Sequence, residues 1–335
     1  MPVRRAAPRY ARPPLLPRCC PNCLSRCYAK RVRSPDSSAS AEKDAVREEG
    51  THVGIVTATA DRVTIRNFAE LASLTGAIAA SGFRRFATYR QATIASLFTN
   101  IMFGFMRSYV LLAVTAFGGV VAGYSGPQLA AYVWAGQGLL GVVMLWGWTD
   151  LADRIRSGDV VTDLLRPIHP VLNYLAADLG RAGYAMIFRF IPPMAVGYLF
   201  FDMYVPGDLV TYPLFLLSTL LAVIICFCCR YLVNASAFWL LDHRGVSMTW
   251  LFLSGMLGGL YFPIRFLPDW AAALIWFGTP GPSLFQAPMD ILVERDAVAI
   301  RFGIIGIQIV WMVVLLWLCR LVQRRAERKM VIQGG

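Results

Sequence analysis

The chain has 335 residues, of which 57% are hydrophobic and 13% aromatic, and its formal net charge is +12. The mean hydropathy of +0.53 excludes an ordinary soluble globular protein, since apolar runs of the roughly 20 residues needed to cross a bilayer recur after about residue 100. No nucleic-acid-binding motif accompanies the positive charge, which is better explained by arginines that hold loops on the cytoplasmic side of a membrane. We therefore predict an all-α membrane protein that does not bind nucleic acid.

Residues 1–80 differ from the rest of the chain. Residues 1–35 contain eight arginines, one lysine and no acidic residue, and residues 36–49 have no apolar period, which is typical of disorder. No apolar stretch predicts a secretory signal peptide. An organellar transit peptide, a dispensable tail and a start codon placed too far upstream all fit this pattern. We expect a disordered or dispensable extension over 1–80 and a transmembrane domain over 81–330.

Four of the eight cysteines lie in this extension, at Cys19, Cys20, Cys23 and Cys27. Their spacing could begin a zinc site, but no second pair of ligands follows at the spacing of a zinc finger. The other four cysteines lie in apolar segments, where cysteine packs as a small hydrophobic residue. No metal or cofactor is expected in this chain.

Residues 82–100 mix basic and aromatic side chains at helical spacing, which predicts a helix at the level of the lipid headgroups. Six membrane spans are predicted after it: 101–124, 128–148, 181–204, 209–238, 247–262 and 301–319. Pro192 and Pro193 are expected to interrupt the third span. The predicted fold therefore has six transmembrane helices preceded by an interfacial helix.

The distribution of arginine and lysine predicts that both termini are cytoplasmic. The predicted inner segments carry twelve of these residues, and the outer segments carry two or three. The inner ones are Arg84, Arg85, Arg90, Arg154, Arg156, Arg166, Arg244, Arg320, Arg324, Arg325, Arg328 and Lys329. The expected location is the cell (plasma) membrane, which is the inner membrane where a cell has two.

Three arginines fall inside predicted spans, at Arg107, Arg189 and Arg230. A charged side chain at membrane depth either snorkels to the interface, pairs within the helix bundle or lines a substrate path. The sequence leaves these alternatives open.

Residues 261–289 are apolar enough to enter a membrane but contain five prolines. Broken backbone at membrane depth is tolerated only where it is buried in protein or lines a cavity. We therefore predict two short helices that enter from the outer side and return, forming a re-entrant gate before the last span. The residues expected there are Phe262, Pro263, Arg265, Pro268, Asp269 and Trp270.

The longest polar interruption lies between the second and third spans, over residues 151–170. Gly158 is a helix stop signal, and residues 160–165 can form one or two helical turns before Pro167. Such turns would expose apolar side chains to a soluble partner, with Asp159, Asp163 and Arg166 as flanking charges. The predicted coupling residues are Arg156, Gly158, Asp159, Val161, Asp163, Leu164, Leu165, Arg166 and Pro167. The alternative is a solvated loop whose charges only set the topology.

Catalytic motifs are absent from the sequence. None of the three lysines stands in a phosphate-binding G-x-x-x-x-G-K-[ST] loop, and the three histidines form neither a His-Glu-x-x-His helix nor a Ser-His-Asp set. We expect that this chain is not an enzyme.

Three stretches resemble permease subunits of the ABC-2 type of ABC transporter, in the six-span branch without a fused ATPase. They are GFRRFATYRQATIASLFTN, IRSGDVVTDLLRPIHPVLNYLAADLGR and SGMLGGLYFPIRFLPDW. The second is the most specific, with Gly158-Asp159 shortly before Asp163 and the Leu-Leu-Arg-Pro run that follows. The resemblance covers residues 82–329.

The resemblance implies that the loop between spans two and three docks on a cytoplasmic ABC ATPase, and that short re-entrant helices precede the last span. It also implies a second permease subunit, identical or related, with ATP and Mg bound to the ATPase, and it favours export. The transported substrate cannot be read from the sequence. The alternatives are a stand-alone secondary transporter, for which we find no internal repeat, or a membrane subunit that does not transport.

Overall fold

The computed structural model describes residues 68–164, 168–240 and 243–333, and in these ranges it is helical, with one isolated β-bridge and no strand. The prediction of an all-α protein is confirmed. The α-helices of the described residues are α1 Phe68–Thr88, α2 Arg90–Gly118, α3 Gly126–Val143, α4 Asp150–Ser157, α5 Val160–Leu164, α6 Pro170–Ala185, α7 Ile191–Phe200, α8 Thr211–Ala235, α9 Arg244–Leu257, α10 Asp269–Gly278, α11 Gln286–Leu292 and α12 Val298–Gln333.

Four helical stretches of the described chain are long and apolar enough to cross a membrane. They are Arg90–Ala113, Pro170–Phe200, Thr211–Phe238 and Val298–Arg328. The fifth predicted span contains α9, which has 14 residues and is about 21 Å long at ~1.5 Å per residue, shorter than a ~30 Å hydrocarbon core. Six spans therefore stay a prediction.

Helix α3 is the core of the bundle. Its first turn is closed by a capping box, in which Ser125 and Gln128 each accept a hydrogen bond from the other's backbone N–H. The helix is buried along almost its whole length and ends at Met144, which has a left-handed backbone (φ 54°). Helices α2, α6, α7, α8 and α11 pack around it. The loop that leads from α3 to the insert therefore starts at a buried helix end.

Helices α1 and α6 touch backbone to backbone. A β-carbon at Gly82 would overlap the carbonyl oxygen of Ala177, and one at Gly180 would overlap the carbonyl oxygen of Ala79. Small residues permit this close approach of two helices. Helix α1 thus crosses the domain boundary predicted at residue 80 and contacts α6 on both sides of it.

The single helix predicted over residues 82–100 is divided at Tyr89. Residues 90–100 continue into the first candidate span, whereas residues 82–88 end a helix that packs on α6. The pattern of basic and aromatic residues does not predict this contact, because Gly82 makes it through its backbone and has no side chain. An interfacial position of the helix stays a prediction.

The third span is not broken at its prolines. The π turn Met186–Phe190 joins α6 to α7, and Pro192 and Pro193 occupy the first turn of α7. Proline is tolerated in a first turn because the N–H that it lacks has no partner there, and a π turn rearranges the preceding hydrogen bonds. The expected interruption is therefore a local widening of a 31-residue helix.

The proline-rich stretch 261–289 contains α10 and the start of α11, two short helices separated by a 3-10 turn at Gly281–Ser283. Helix α10 is mostly exposed, and α11 is buried against α8 and α3. Helix α12 is longer than predicted, with 36 residues instead of 19. Its C-terminal turns stay on the bundle, where the Tyr231 hydroxyl donates to Gln323 Oε1 at 2.6 Å.

Candidate functional site

The polar insert forms two short helices, α4 and α5, which are joined by a turn at Gly158. Helix α4 ends at Gly158, whose left-handed backbone (φ 83°) suits glycine. Helix α5 then folds back because Arg154 Nη2 donates to the Asp159 carbonyl oxygen at 3.2 Å and to Thr162 Oγ1 at 2.8 Å. The predicted turn and the helical turns after it are therefore present, and α4 and α5 form one unit.

Asp163 joins this unit to α6. Its carboxylate is 3% exposed, lies 2.8 Å from Arg154 Nε and accepts a hydrogen bond from the Tyr174 hydroxyl at 2.6 Å. The prediction that Asp163 flanks an exposed contact is thus wrong for the described structure, because the carboxylate points into the protein toward these two partners. Asp163 therefore connects the insert to α6.

The exposed face of the insert is made by the other predicted residues. Arg156, Gly158, Asp159 and Val161 are all exposed, and the Val161 side chain is 52% accessible. An apolar side chain flanked by charges suits a protein contact. The Leu164 side chain and the residues Leu165, Arg166 and Pro167 lie outside the described residues. We call Arg156, Gly158, Asp159 and Val161 the docking face.

A buried ionic cluster lies behind the insert. Asp178 Oδ1 accepts from Arg181 Nε at 2.7 Å and Asp178 Oδ2 from Arg230 Nη2 at 2.6 Å, and all three side chains are at most 8% exposed. Arg181 also donates to the carbonyl oxygens of Gly141 and Val142 at the C-terminal end of α3. The cluster therefore ties α3, α6 and α8 together by charge-assisted hydrogen bonds.

Two further side chains fix the loop that leads from α3 into the insert. Asn234 Nδ2 donates to the Trp148 carbonyl oxygen at 3.0 Å, and Asn234 Oδ1 accepts from the Ala152 amide at 3.3 Å. The Trp250 indole N–H donates to the Leu145 carbonyl oxygen at 3.1 Å. The loop and the start of the insert are therefore connected to α8 and α9 as well as to α6.

A pocket of about 640 Å³ opens between α1, α4 and α6, next to the ionic cluster. Asp150, Asp153 and Arg85 stand on its walls, and Arg85 Nη1 lies 3.4 Å from Asp150 Oδ2. This ion pair is exposed, so it adds little stability. The pocket is therefore lined both by this exposed ion pair and by Asp178 and Arg181 of the buried ionic cluster.

The residues predicted for the re-entrant gate do not form one group. Pro263 is buried and Phe262 is half-buried, whereas Pro268, Asp269 and Trp270 are exposed. The Arg265 guanidinium lies 5.2 Å from the centre of the Trp276 ring and 3.7 Å from Asp296. The stretch thus has a buried half and an outward half.

A buried polar network that the sequence did not predict lies beside this stretch. Asp290 Oδ1 accepts hydrogen bonds from the Tyr124 hydroxyl at 2.5 Å and from Gln286 Nε2 at 2.8 Å, and the Tyr132 hydroxyl is 2.7 Å from Gln286 Oε1. Burial raises the pKa of Asp290 to about 6, against the effect of these hydrogen bonds. Neutral donors therefore hold this carboxylate, and the nearest arginine, Arg265, is 4.0 Å away.

Glu294 fastens the loop between α7 and α8. Its carboxylate accepts hydrogen bonds from the hydroxyls of Tyr204 and Thr211 and from the amides of Gly207 and Asp208, at 2.5 to 3.1 Å. Burial opposes ionisation, but these donors hold the pKa of Glu294 below its ordinary value. The residue adopts a left-handed backbone (φ 50°), which costs energy for a side chain other than glycine.

Each of the three arginines predicted at membrane depth has a partner in the bundle. Arg107 donates to the Leu260 carbonyl oxygen, Arg189 Nη2 donates to Ser96 Oγ at 2.7 Å, and Arg230 pairs with Asp178. Pairing within the bundle is what the structure shows, and a place on a substrate path stays a prediction.

Asp178 and Arg181 were not singled out from the sequence, although a signal was present. They stand three residues apart in an apolar helix, where opposite charges at this spacing meet on one face. The Cys19, Cys20, Cys23 and Cys27 run lies outside the described residues. In the part of the chain that the structure describes, no three His, Cys, Asp or Glu side chains are grouped to hold a metal ion.

Comparison with protein families gives one match. The model of the family described as ABC-2 family transporter protein matches residues 98–334, well over half of the chain. The matched range contains the insert, the ionic cluster and the proline-rich stretch. No curated protein matched the chain significantly.

Proposed function

This multi-pass membrane chain belongs to the ABC-2 family of transporter proteins, and we propose that it is the permease subunit of an exporter driven by a separate cytoplasmic ABC ATPase. Permeases of this family supply the membrane part of ABC-type transport. The finer assignments, which are the ATPase partner, the pairing with a second permease and the outward direction, are proposals.

The observation that supports the proposal is the set of hydrogen bonds and ion pairs that connects the unit carrying the docking face to the membrane helices. The docking face is exposed and surrounds one apolar side chain, while Asp163 fastens the same unit to α6. Behind it, Asp178 pairs α6 with α8, Arg181 of α6 donates to the end of α3, and Asn234 of α8 donates to the loop after α3. A solvated loop that only set topology would not need these buried connections.

In the proposed mechanism, this connection transmits motion from the ATPase to the membrane helices. ATP and Mg bind to the ATPase pair, and its closure pushes on the docking faces of two permease subunits. Because the insert is fastened to α3, α6 and α8, the motion reaches the helices as a rigid-body displacement. Substrate passes between the two permeases, and the residues 261–289 form the outer gate. Hydrolysis belongs to the partner.

The orientation follows from the distribution of arginine. Arg154 and Arg156 lie in the insert, and Arg320, Arg324 and Arg328 lie at the C-terminal end of α12, so we place this end of the bundle and both termini in the cytoplasm. The α7–α8 loop and the proline-rich stretch then face outward. The membrane is the plasma membrane, or the inner membrane of a cell with two.

The experiment is co-purification of the chain with candidate ABC ATPases after co-expression. The test variant is Asp159→Arg with Val161→Asp, which reverses the charge and polarity of the docking face. The control is Asp202→Arg with Val205→Asp, the same two changes at exposed positions at the other end of the 31-residue helix, about 45 Å away. Val161 and Val205 are 52% and 54% exposed, so the pair is matched.

We expect the control to retain the ATPase and the test variant to lose it by at least about tenfold, since a charged group introduced at the centre of an interface costs several kcal/mol. Both variants should be inserted in the membrane at the wild-type level. Equal retention of the ATPase by the two variants would place the contact elsewhere. Failure of every ABC ATPase to bind the wild type would overturn the permease role.

A further inference from the structure

We infer that a second pocket at the cytoplasmic end of the bundle binds the phosphate headgroup of an anionic phospholipid. The pocket has a volume of about 330 Å³, within the range of small-ligand sites. Its walls are the loop 144–149, the last turns of α8 and the first turns of α9. Its cytoplasmic position rests on the orientation given under the proposed function.

Buried donors without acceptors mark the polar end of this pocket. Arg230 and His243 line it and are 3% and 5% exposed. Arg230 Nε and Nη1 and His243 Nδ1 have no hydrogen-bond partner among the described residues. Leaving such groups unsatisfied in a buried site costs free energy, and a ligand with several acceptor oxygens would recover it.

The charge of the site selects an anion. Asp178 is shared between Arg181 and Arg230, so this buried cluster has one more positive than negative charge. The described lining residues include no Asp or Glu. A phosphate group would balance the excess, whereas an ammonium group would add to it.

The remaining walls are aromatic and open toward the membrane. Trp146, Trp148 and Trp250 line the pocket, and tryptophan is typical of the membrane interface. Met248 and Phe252 on α9 are 68% and 62% exposed, so the pocket adjoins an apolar surface that a membrane would cover. Basic pockets between helices on the cytoplasmic side recognise anionic headgroups. Inorganic phosphate would leave this apolar surface unused, so the lipid is the preferred source.

Occupancy of the pocket would act on the insert. Arg230 and Asn234 both line the pocket, and Asn234 holds the Trp148 carbonyl oxygen and the Ala152 amide. A phosphate bound to Arg230 would therefore stiffen the connection between α8 and α4. Anionic lipid should for this reason support the transmission of motion from the docking face.

The test is native mass spectrometry of the purified full-length chain, released from neutral detergent at constant ionic strength. The added compounds are dioctanoyl phosphatidylglycerol, dioctanoyl phosphatidylcholine and inorganic phosphate. Ser247→Trp fills the pocket, and Thr249→Trp is the control. Both hydroxyls bond back to the carbonyl oxygen four residues earlier on α9, at 3.1 and 3.0 Å, but only Ser247 lines the pocket.

We expect the first phosphatidylglycerol to bind wild type and Thr249→Trp equally, and at least about tenfold tighter than phosphatidylcholine, since the excess charge favours the anion by hydrogen bonds to a charged group. Ser247→Trp should lose that binding. His243→Leu should weaken it roughly threefold to tenfold, the range of one neutral hydrogen bond.

Three outcomes would overturn the inference. The lipids could bind without headgroup preference, Ser247→Trp could bind as the wild type does, or inorganic phosphate could displace phosphatidylglycerol at equal concentration, which would identify a site for the free ion. The assay contains no ATPase. Lipid binding without any ATPase complex would therefore sustain this site while the permease role fails, and the reverse result would do the opposite.

Discussion

Two buried carboxylates, one at each end of the bundle, are held by different means. At the insert end, Asp178 lies between two arginines at 2.6 and 2.7 Å. At the opposite end, Asp290 is held by the Tyr124 hydroxyl and the Gln286 amide, with Arg265 no closer than 4.0 Å. The first arrangement is ionic, and the second consists of neutral donors on a charged acceptor.

We expect this difference to make the surroundings of Asp178 stiffer than those of Asp290. Removing one partner of a buried ion pair leaves an uncompensated charge, so the insert end has no low-energy alternative arrangement. Hydroxyl and amide donors can exchange partners at a lower cost, because a hydrogen bond to a charged group contributes about 1.5–3 kcal/mol, whereas breaking a buried ion pair costs about 3–5 kcal/mol. The proposed export mechanism would use this asymmetry, with force entering near Asp178 and the end near Asp290 opening.

The largest expected effect comes from breaking the ionic cluster. Asp178→Ala should destabilise the protein by about 3–5 kcal/mol, because Arg181 and Arg230 stay buried without their carboxylate. The matched change at the other end, Asp290→Ala, removes an acceptor of two neutral donors and should cost about 1–3 kcal/mol.

Thermal unfolding of the two variants in the same neutral detergent measures this difference. The melting temperature of Asp178→Ala should lie clearly below that of Asp290→Ala. Equal melting temperatures would remove the basis of the comparison between the two ends.

A smaller effect concerns pH at the end of the bundle that contains Asp290. The pKa of Asp290 is raised by burial from 3.8 to about 6, so the folded state holds its proton more tightly than the unfolded state. The contribution of the protonated carboxyl to stability is present below pH 4 and is lost as the pH rises through about 6.

The wild type should therefore lose about 1–2 kcal/mol relative to Asp290→Asn, which does not titrate, between pH 4.5 and pH 7.5. Melting curves of both proteins at the two pH values measure this difference. A wild type that gained stability over this range would show that the carboxylate, not the acid, is the favoured form.

The elements of the fold that depend on local pattern could be predicted from the sequence. Hydropathy located the long helices, Gly158 located the end of α4, and the prolines after residue 261 located two short helices. Element bounds that depend on contacts with other helices were missed. The break at Tyr89 is of this kind, whereas the uninterrupted passage through Pro192 depends on the local π turn before it.

The interior of the site could not be predicted, because its contacts join distant residues. Asp178 and Arg230 are 52 positions apart, and Asp290 and Tyr124 are 166 apart. The inward direction of Asp163 depends on Tyr174, a residue whose role no spacing rule indicates. Val161 is exposed, as the sequence predicted for the short helix that follows Gly158, and its docking role stays a prediction.

The most direct measurement of the central claim is a pair of electron-spin distances in the complex with its ATPase. One label pair joins Val161→Cys and Leu240→Cys at the insert end, and the other joins Val205→Cys and Trp270→Cys at the opposite end; all four sites are exposed. The cysteines at 19, 20, 23 and 27 are replaced by serine, whereas the four others are buried and do not label. Dilution with unlabelled chain removes distances between subunits. With ATP bound, the first distance should stay unchanged and the second should change. A first distance that changes while the second stays constant would contradict the rigid connection between the insert and the membrane helices.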